Sequence, residues 1–174
     1  TVLGAGGKAS SNGEFAIGGG LPDGPSLKPD TYSDRKVSVV NLTGVTEDNT
    51  ATKLTVNGDG SYINVNLNSV VGFEIYITRL EVGGTSGTAG NYSYRNIKGV
   101  VRIDNAGAML FIVGMTRNIA KYNSSGGAGV NGSAAMIDAA SGTSITIQVS
   151  DRNNVTNVWS ATVTLHQLTS NISF

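Results

Sequence analysis

One histidine, no cysteine and 12 acidic residues limit the chemistry this 174-residue chain can perform. His166 closes a run in which Trp159, Ala161, Val163 and Leu165 alternate with Ser160, Thr162, Thr164 and His166, so it belongs to the wet side of a strand. A catalytic triad needs a base oriented by a carboxylate beside a nucleophile. No nucleophile-elbow pattern accompanies this histidine, and it reads as a surface side chain. Two carboxylates can cleave a glycosidic bond, but the one adjacent pair, Glu47-Asp48, reads as loop charge. Asp23 and Asp59 sit in Gly-rich turns that could offer oxygens to calcium, yet no twelve-residue calcium loop is present and turn chemistry explains both. Gly4-Ala5-Gly6-Gly7-Lys8-Ala9 matches a dinucleotide fingerprint, but only three residues precede it, where a full strand is required. No catalytic residue, metal or cofactor is expected.

Tyrosine and asparagine offer a different chemistry. Tyr62, Tyr76, Tyr92, Tyr94 and Tyr122 fall near strand ends or on wet faces. Such rings stack on sugars, and neighbouring amides bind hydroxyls. The candidate receptor or glycan contacts are Asn91, Tyr92 and Tyr94 in a segment over 83–95, and Tyr122, Asn123 and Asn131 around a loop over 123–133. Tyrosine also enters strands simply because it packs well on a pleated surface. Asn41, Asn91, Asn123, Asn131, Asn154 and Asn171 begin Asn-x-Ser/Thr triplets, several of which arise by chance in so polar a chain.

The elements that must position these residues are strands. Charged residues are 14% of the chain, against roughly 25% in ordinary domains. Their place is taken by 24 Gly, 17 Asn, 17 Thr and 18 Ser, a composition of strands and tight turns rather than helices. Net charge is zero and no basic run exists, which argues against nucleic acid. No apolar stretch approaches the roughly 20 residues that span a bilayer, so no membrane insertion is expected. The lack of cysteine fits folding in a reducing cytoplasm.

Period-2 alternation recurs at Ile63, Val65 and Leu67, at Phe73, Ile75 and Ile77, and at Ile145, Ile147 and Val149. Strands are expected near 36–43, 52–57, 61–67, 70–82, 92–104, 108–120, 143–150 and 155–168. Asn57-Gly58-Asp59-Gly60 suits a tight hairpin with positive φ. Residues 108–115 are apolar on both sides and read as a central strand, or as one whose outer face meets another subunit. Ala134–Ala140 reads as a short helix. About eight short strands with Gly-rich turns predict an all-β fold, an antiparallel β-sandwich or jelly roll. All three prolines and Gly18-Gly19-Gly20 lie before residue 30, where no regular element is expected to continue. The expected division is a Gly/Pro-rich segment and linker over 1–34 and a sandwich domain over 35–174.

Residues 7–18, Gly-Lys-Ala-Ser-Ser-Asn-Gly-Glu-Phe-Ala-Ile-Gly, resemble the short repeats of trimeric fibrous proteins, such as the heads of trimeric autotransporter adhesins and the segments before phage tail-fibre tips. The remainder resembles a β-sandwich domain at the C-termini of phage tail fibres and tailspikes. Three runs carry that likeness: Asn68 to Ile77, Asn91 to Arg102, and Val158-Trp159-Ser160-Ala161-Thr162-Val163-Thr164. It covers most of 35–168, and none of its motifs is catalytic. The chain departs from it in a tail beyond residue 168. The resemblance implies a homotrimer at the virion surface that meets a host-surface glycan or outer-membrane protein. Two other readings stand beside it: a monomeric carbohydrate-binding module of a secreted protein, and a glycan depolymerase.

Overall fold

A computed structural model of the chain describes residues 1–3, 9, 11, 13–20, 33–122, 134–140 and 142–170. Their regular structure is all strand: Val2–Leu3 (β1), Phe15–Gly20 (β2), Ser33–Thr46 (β3), Thr52–Lys53 (β4), Thr55–Val56 (β5), Ile63–Asn64 (β6), Ser69–Gly83 (β7), Tyr92–Ile103 (β8), Met109–Tyr122 (β9), Ala134–Ala139 (β10), Ser144–Ser150 (β11) and Thr156–Ser170 (β12). No helix among them is long and apolar enough to cross a membrane. The large sheet runs β1-β2-β3-β12-β7-β8-β9, with β5 beside β3; the small one runs β10-β11-β4, with β6 on β11. All pairings are antiparallel except β1 with β2.

The two sheets face each other as a β-sandwich, and alternation decides which side chains meet. From the large sheet, Leu42, Phe73, Ile75, Ile97, Trp159 and Val163 point inward; from the small sheet, Ile137, Ile145, Ile147 and Val149 oppose them. Each large side chain so buried contributes roughly 1.5–3 kcal/mol of transfer free energy. Trp159 is fully buried, and its indole Nε1–H donates to Thr46 Oγ1 at 2.9 Å, so its polar tip is satisfied in the dry interior.

The turn at Asn57–Gly60 has positive φ at Asn57, Gly58 and Gly60, and Asp59 Oδ1 accepts the Ser61 backbone N–H at 2.9 Å. That Asx geometry is turn chemistry. Several expectations are corrected. Ala134–Ala139 is a strand, not a helix: it pairs with β11 over its whole length, and tertiary pairing overrides the helical preference of alanine. Gly18–Gly20 continue β2 against Lys36, Arg35 and Asp34, since a ladder needs backbone groups and not side chains. The 108–115 stretch does not lie in the middle of the sheet. It opens β9, the edge strand. Leu67, expected inside, is 42% exposed. The residues from Gly4 to Lys8, with the fingerprint, all three prolines, Asp23 and Asn171 lie outside the described residues.

Candidate recognition and assembly surface

The outer face of the large sheet is the surface that the small sheet does not cover. In-register pairing sets its side chains in rows across β3, β12, β7, β8 and β9. At one end, the head, Val45, Val158, Leu80, Tyr92 and Tyr122 form a row, each 40–52% exposed. Next come Thr43, Ser160, Thr78, Tyr94 and Ala120, then Asn41, Thr162, Tyr76, Asn96 and Arg117. The row of Val39, Thr164, Glu74, Lys98 and Met115 ends this polar middle band.

Four tyrosines stand on β7, β8 and β9 as two stacked pairs. Tyr92 and Tyr122 have ring centroids 5.9 Å apart at 17°. Tyr76 and Tyr94 lie 5.8 Å apart at 18°. Strand neighbours hold the rings in place. Tyr76 Oη–H donates to Glu74 Oε1 at 2.7 Å, and the Lys98 ammonium reaches the same oxygen at 2.5 Å. The hydrogen bond from Lys98, then that from Tyr76, holds the Glu74 carboxyl below its ordinary pKa. The same bonds push Tyr76 and Lys98 upward.

Beneath the head, where β7 turns to β8, the core carries charge. Arg79 is 1% exposed and its guanidinium donates to Asp151, to Asn157 Oδ1 at 3.1 Å and to Glu81 at 3.5 Å. Arg152 joins from the rim, 2.9 Å from Glu81 and 3.5 Å from Asp151. Burial, and then the nearby Arg79 charge, lower the pKa of Arg95. Glu81 also accepts the Thr88 backbone N–H and the Asn91 amide, and its own backbone bonds Asn91 and Gly90 at 2.8 and 2.9 Å. The 84–91 connection is further tied to β12's approach by Ser86 N–H to Asn154 O at 3.0 Å. At Gly84 φ is +98°, and an added Cβ would lie 2.3 Å from Asn154 O. The charged cluster therefore fixes the loop beside the tyrosines.

Of the expected contact residues, Tyr92, Tyr94 and Tyr122 share the outer face. Asn91 is buried at 4% exposure with its amide on Glu81, so it supports the loop from inside. Asn123 and Asn131 lie outside the described residues. His166 is exposed on the outer face, in the row of Val37 and Gly72. Asp48 accepts the Thr50 backbone N–H at 2.7 Å, which lowers its pKa. Sequence reasoning passed over Arg79 and Glu81. Their signal was there: both fall on the inward parity of Phe73, Ile75 and Ile77. Among the described residues, no cluster of His, Asp and Glu is arranged to hold a metal ion.

No protein-family model matches the chain, and no curated protein does. Among solved structures, it is similar to a tailspike protein, gp49 from Acinetobacter baumannii bacteriophage Fri1, a capsular polysaccharide depolymerase. Identity is 13% and the TM-score 0.35; the match covers 86% of this chain and 19% of that one. The chain thus spans about a fifth of that tailspike's length.

Proposed function

We propose that the chain is a non-enzymatic distal domain of a trimeric phage tail fibre or tailspike, serving trimerisation and attachment to a host-surface receptor, a glycan foremost. The observation that carries the reading is the uncovered outer face of the large sheet. An antiparallel sheet that faces water on one side alternates apolar-in and polar-out. Here Val45, Val70, Leu80, Val100, Val158 and Leu168 occupy outward positions and are 39–52% exposed. Such a face marks an interaction surface. The likeness of residues 7–18 and of the three sandwich runs to tail-fibre segments supplies the setting, at the virion surface.

The stacked tyrosines and the fixed 84–91 loop support the recognition half of the reading, because rigid aromatic surface beside a preorganised loop is suited to sugar rings. Glu81 and Asp151, the carboxylates the fold brings to one cluster, are both committed to arginines, which favours a structural over a hydrolytic role. The alternative, a carbohydrate-binding module of a secreted protein, shares the tyrosines but predicts a monomer. A glycan array probed with the full chain, alongside an assay for sugar release from the bound glycans, tests the proposal. Binding without release, by a trimer, is expected. Binding by a monomer would move the assignment to the module, and release of oligosaccharide would make the chain an enzyme.

A further inference from the structure

The chain is neutral, but its outer face is not. At the outward positions of β3, β12, β7, β8 and β9 stand Arg35, Lys98, Arg102 and Arg117 against one acid, Glu74. Four positive charges less one negative leave an excess of three, and Glu74 is already held by Lys98 at 2.5 Å. Acids that offset this excess lie elsewhere: Glu14, Glu81 and Asp151 are buried, and Asp48, Asp59 and Asp104 hold turn backbone. A surface of one sign draws an anionic ligand.

Arg117 is the member of this set that stands beside the tyrosines. It is exposed and enters no ion pair among the described residues. Along β9 the outward side chains Tyr122, Ala120 and Arg117 follow one another, opposite Tyr92, Tyr94 and Asn96 of β8. Tyr94 stacks on Tyr76 of β7, and its neighbour on the β9 side is a single methyl group, too short to cover the ring. The result is a notch with Tyr94 as its wall, Ala120 as its floor, and Tyr122 and Arg117 at its ends. Two bulges frame the strand here, at Ile119 and at Gly114, where β9 carries a residue that β8 does not oppose. Bulges re-aim side chains and interrupt the pairing of an edge, and Arg117 sits on the stretch between them.

Resting on the glycan-binding reading above, we infer that this notch takes a carboxylate-bearing sugar, a uronic or ulosonic acid unit of an acidic host-surface polysaccharide. The sugar ring lies on the uncovered side of Tyr94, above Ala120. Its carboxylate meets Arg117, whose planar fork donates two parallel hydrogen bonds to such a group. One guanidinium matches the single charge of a carboxylate. The Tyr92–Tyr122 pair continues the aromatic surface to a neighbouring sugar unit.

The test is an array of neutral, carboxylated, sulfated and phosphorylated oligosaccharides probed with the full chain. Affinities are then measured for the best carboxylated ligand and for the same ligand after carboxyl reduction, with wild type, Arg117→Gln and Arg35→Gln. Arg35 lies on β3, across the face and outside the notch, and circular dichroism verifies that both variants fold. Carboxylated ligands are expected to lead. Carboxyl reduction and Arg117→Gln should each weaken binding about tenfold, without adding to one another. Arg35→Gln should change affinity by less than about twofold, since its charge is distant and screened. A reduced ligand that binds as well as the acid, or an array led by neutral, sulfated or phosphorylated glycans, overturns the inference and leaves glycan binding standing. Equal losses from Arg117→Gln and Arg35→Gln replace the notch with a diffuse field and overturn it too. No binding to any glycan overturns both this inference and the reading it rests on.

Discussion

Replacing Asp151 by alanine should destabilise the domain more than any surface change on it. Asp151 is 3% exposed and its carboxylate takes a guanidinium bond from Arg79, itself 1% exposed. Without Asp151, Arg79 keeps Asn157 at 3.1 Å and Glu81 at 3.5 Å, and Glu81 is already shared with Arg152 at 2.9 Å. Removing one partner of a buried pair leaves an under-compensated charge, at a cost of about 3–5 kcal/mol. For a chain of this size that is a fall of roughly 6–20 °C in melting temperature. The loss should be strongly non-additive. Arg79→Met leaves Glu81 and Asp151 still held by Arg152, and the double variant Arg79→Met/Asp151→Ala should lose less than the sum of the singles by at least about 1 kcal/mol. Urea denaturation at fixed protein concentration, with the midpoint and the m-value followed together, reads this directly. A loss below about 1 kcal/mol for Asp151→Ala would refute the reasoning, because it would mean that water compensates Arg79 as well as the carboxylate does.

The same cluster predicts that Gly84→Ala strains the loop, since φ is +98° and the new Cβ meets Asn154 O at 2.3 Å; amide exchange over 84–91 should rise about tenfold or more while β12 stays protected, and unchanged exchange would contradict the fixed loop. Trp159→Phe removes the donor to Thr46 Oγ1 and part of a fully buried ring, and should cost about 2–4 kcal/mol by urea midpoint. Acid dependence follows from Glu74. Its pKa is lowered in the fold, so its contribution is complete above the ordinary carboxylate range and lost as pH falls through the lowered value; Lys98, raised, contributes fully below the ordinary lysine pKa and loses this only as pH climbs past the raised value. Glu74→Gln should therefore flatten part of the melting-temperature profile between about pH 3 and 5, and an unaltered profile would remove Glu74 from the account. Tyr122→Ala should weaken glycan binding up to about tenfold and, because it also unmakes the stack on Tyr92, lower the melting temperature by only a few degrees, as one aromatic pair is worth about 0.5–1.5 kcal/mol.

Most strands were legible because the period-2 signal is strong where one face is dry: Phe73, Ile75 and Ile77 on β7 and Trp159, Ala161, Val163 and Leu165 on β12 are all inside. The signal weakened where that condition fails. Ala134–Ala139 offers small side chains with little alternation, and only its pairing with β11 makes it a strand. Residues 108–115 are apolar on both faces, which the sequence cannot separate from a central strand, because burial and exposure to a missing neighbour leave the same pattern. The tyrosines were visible as residue types, but their stacking depends on the β8–β9 register, which places Tyr92 opposite Tyr122 across a 30-residue separation that no local rule spans. The apolar outer face was hidden for a related reason. Val70, Leu80 and Val82 look like ordinary interruptions of alternation in one strand, and become a surface only when five strands are laid side by side.

The central claim is that one copy of this sandwich leaves a face that its own kind completes. Sedimentation equilibrium of the full chain over a wide concentration range measures this most directly. A single species at three times 17.9 kDa, holding its mass on dilution, is the predicted result; a species at 17.9 kDa at every concentration would contradict it and leave the outer face to a different partner.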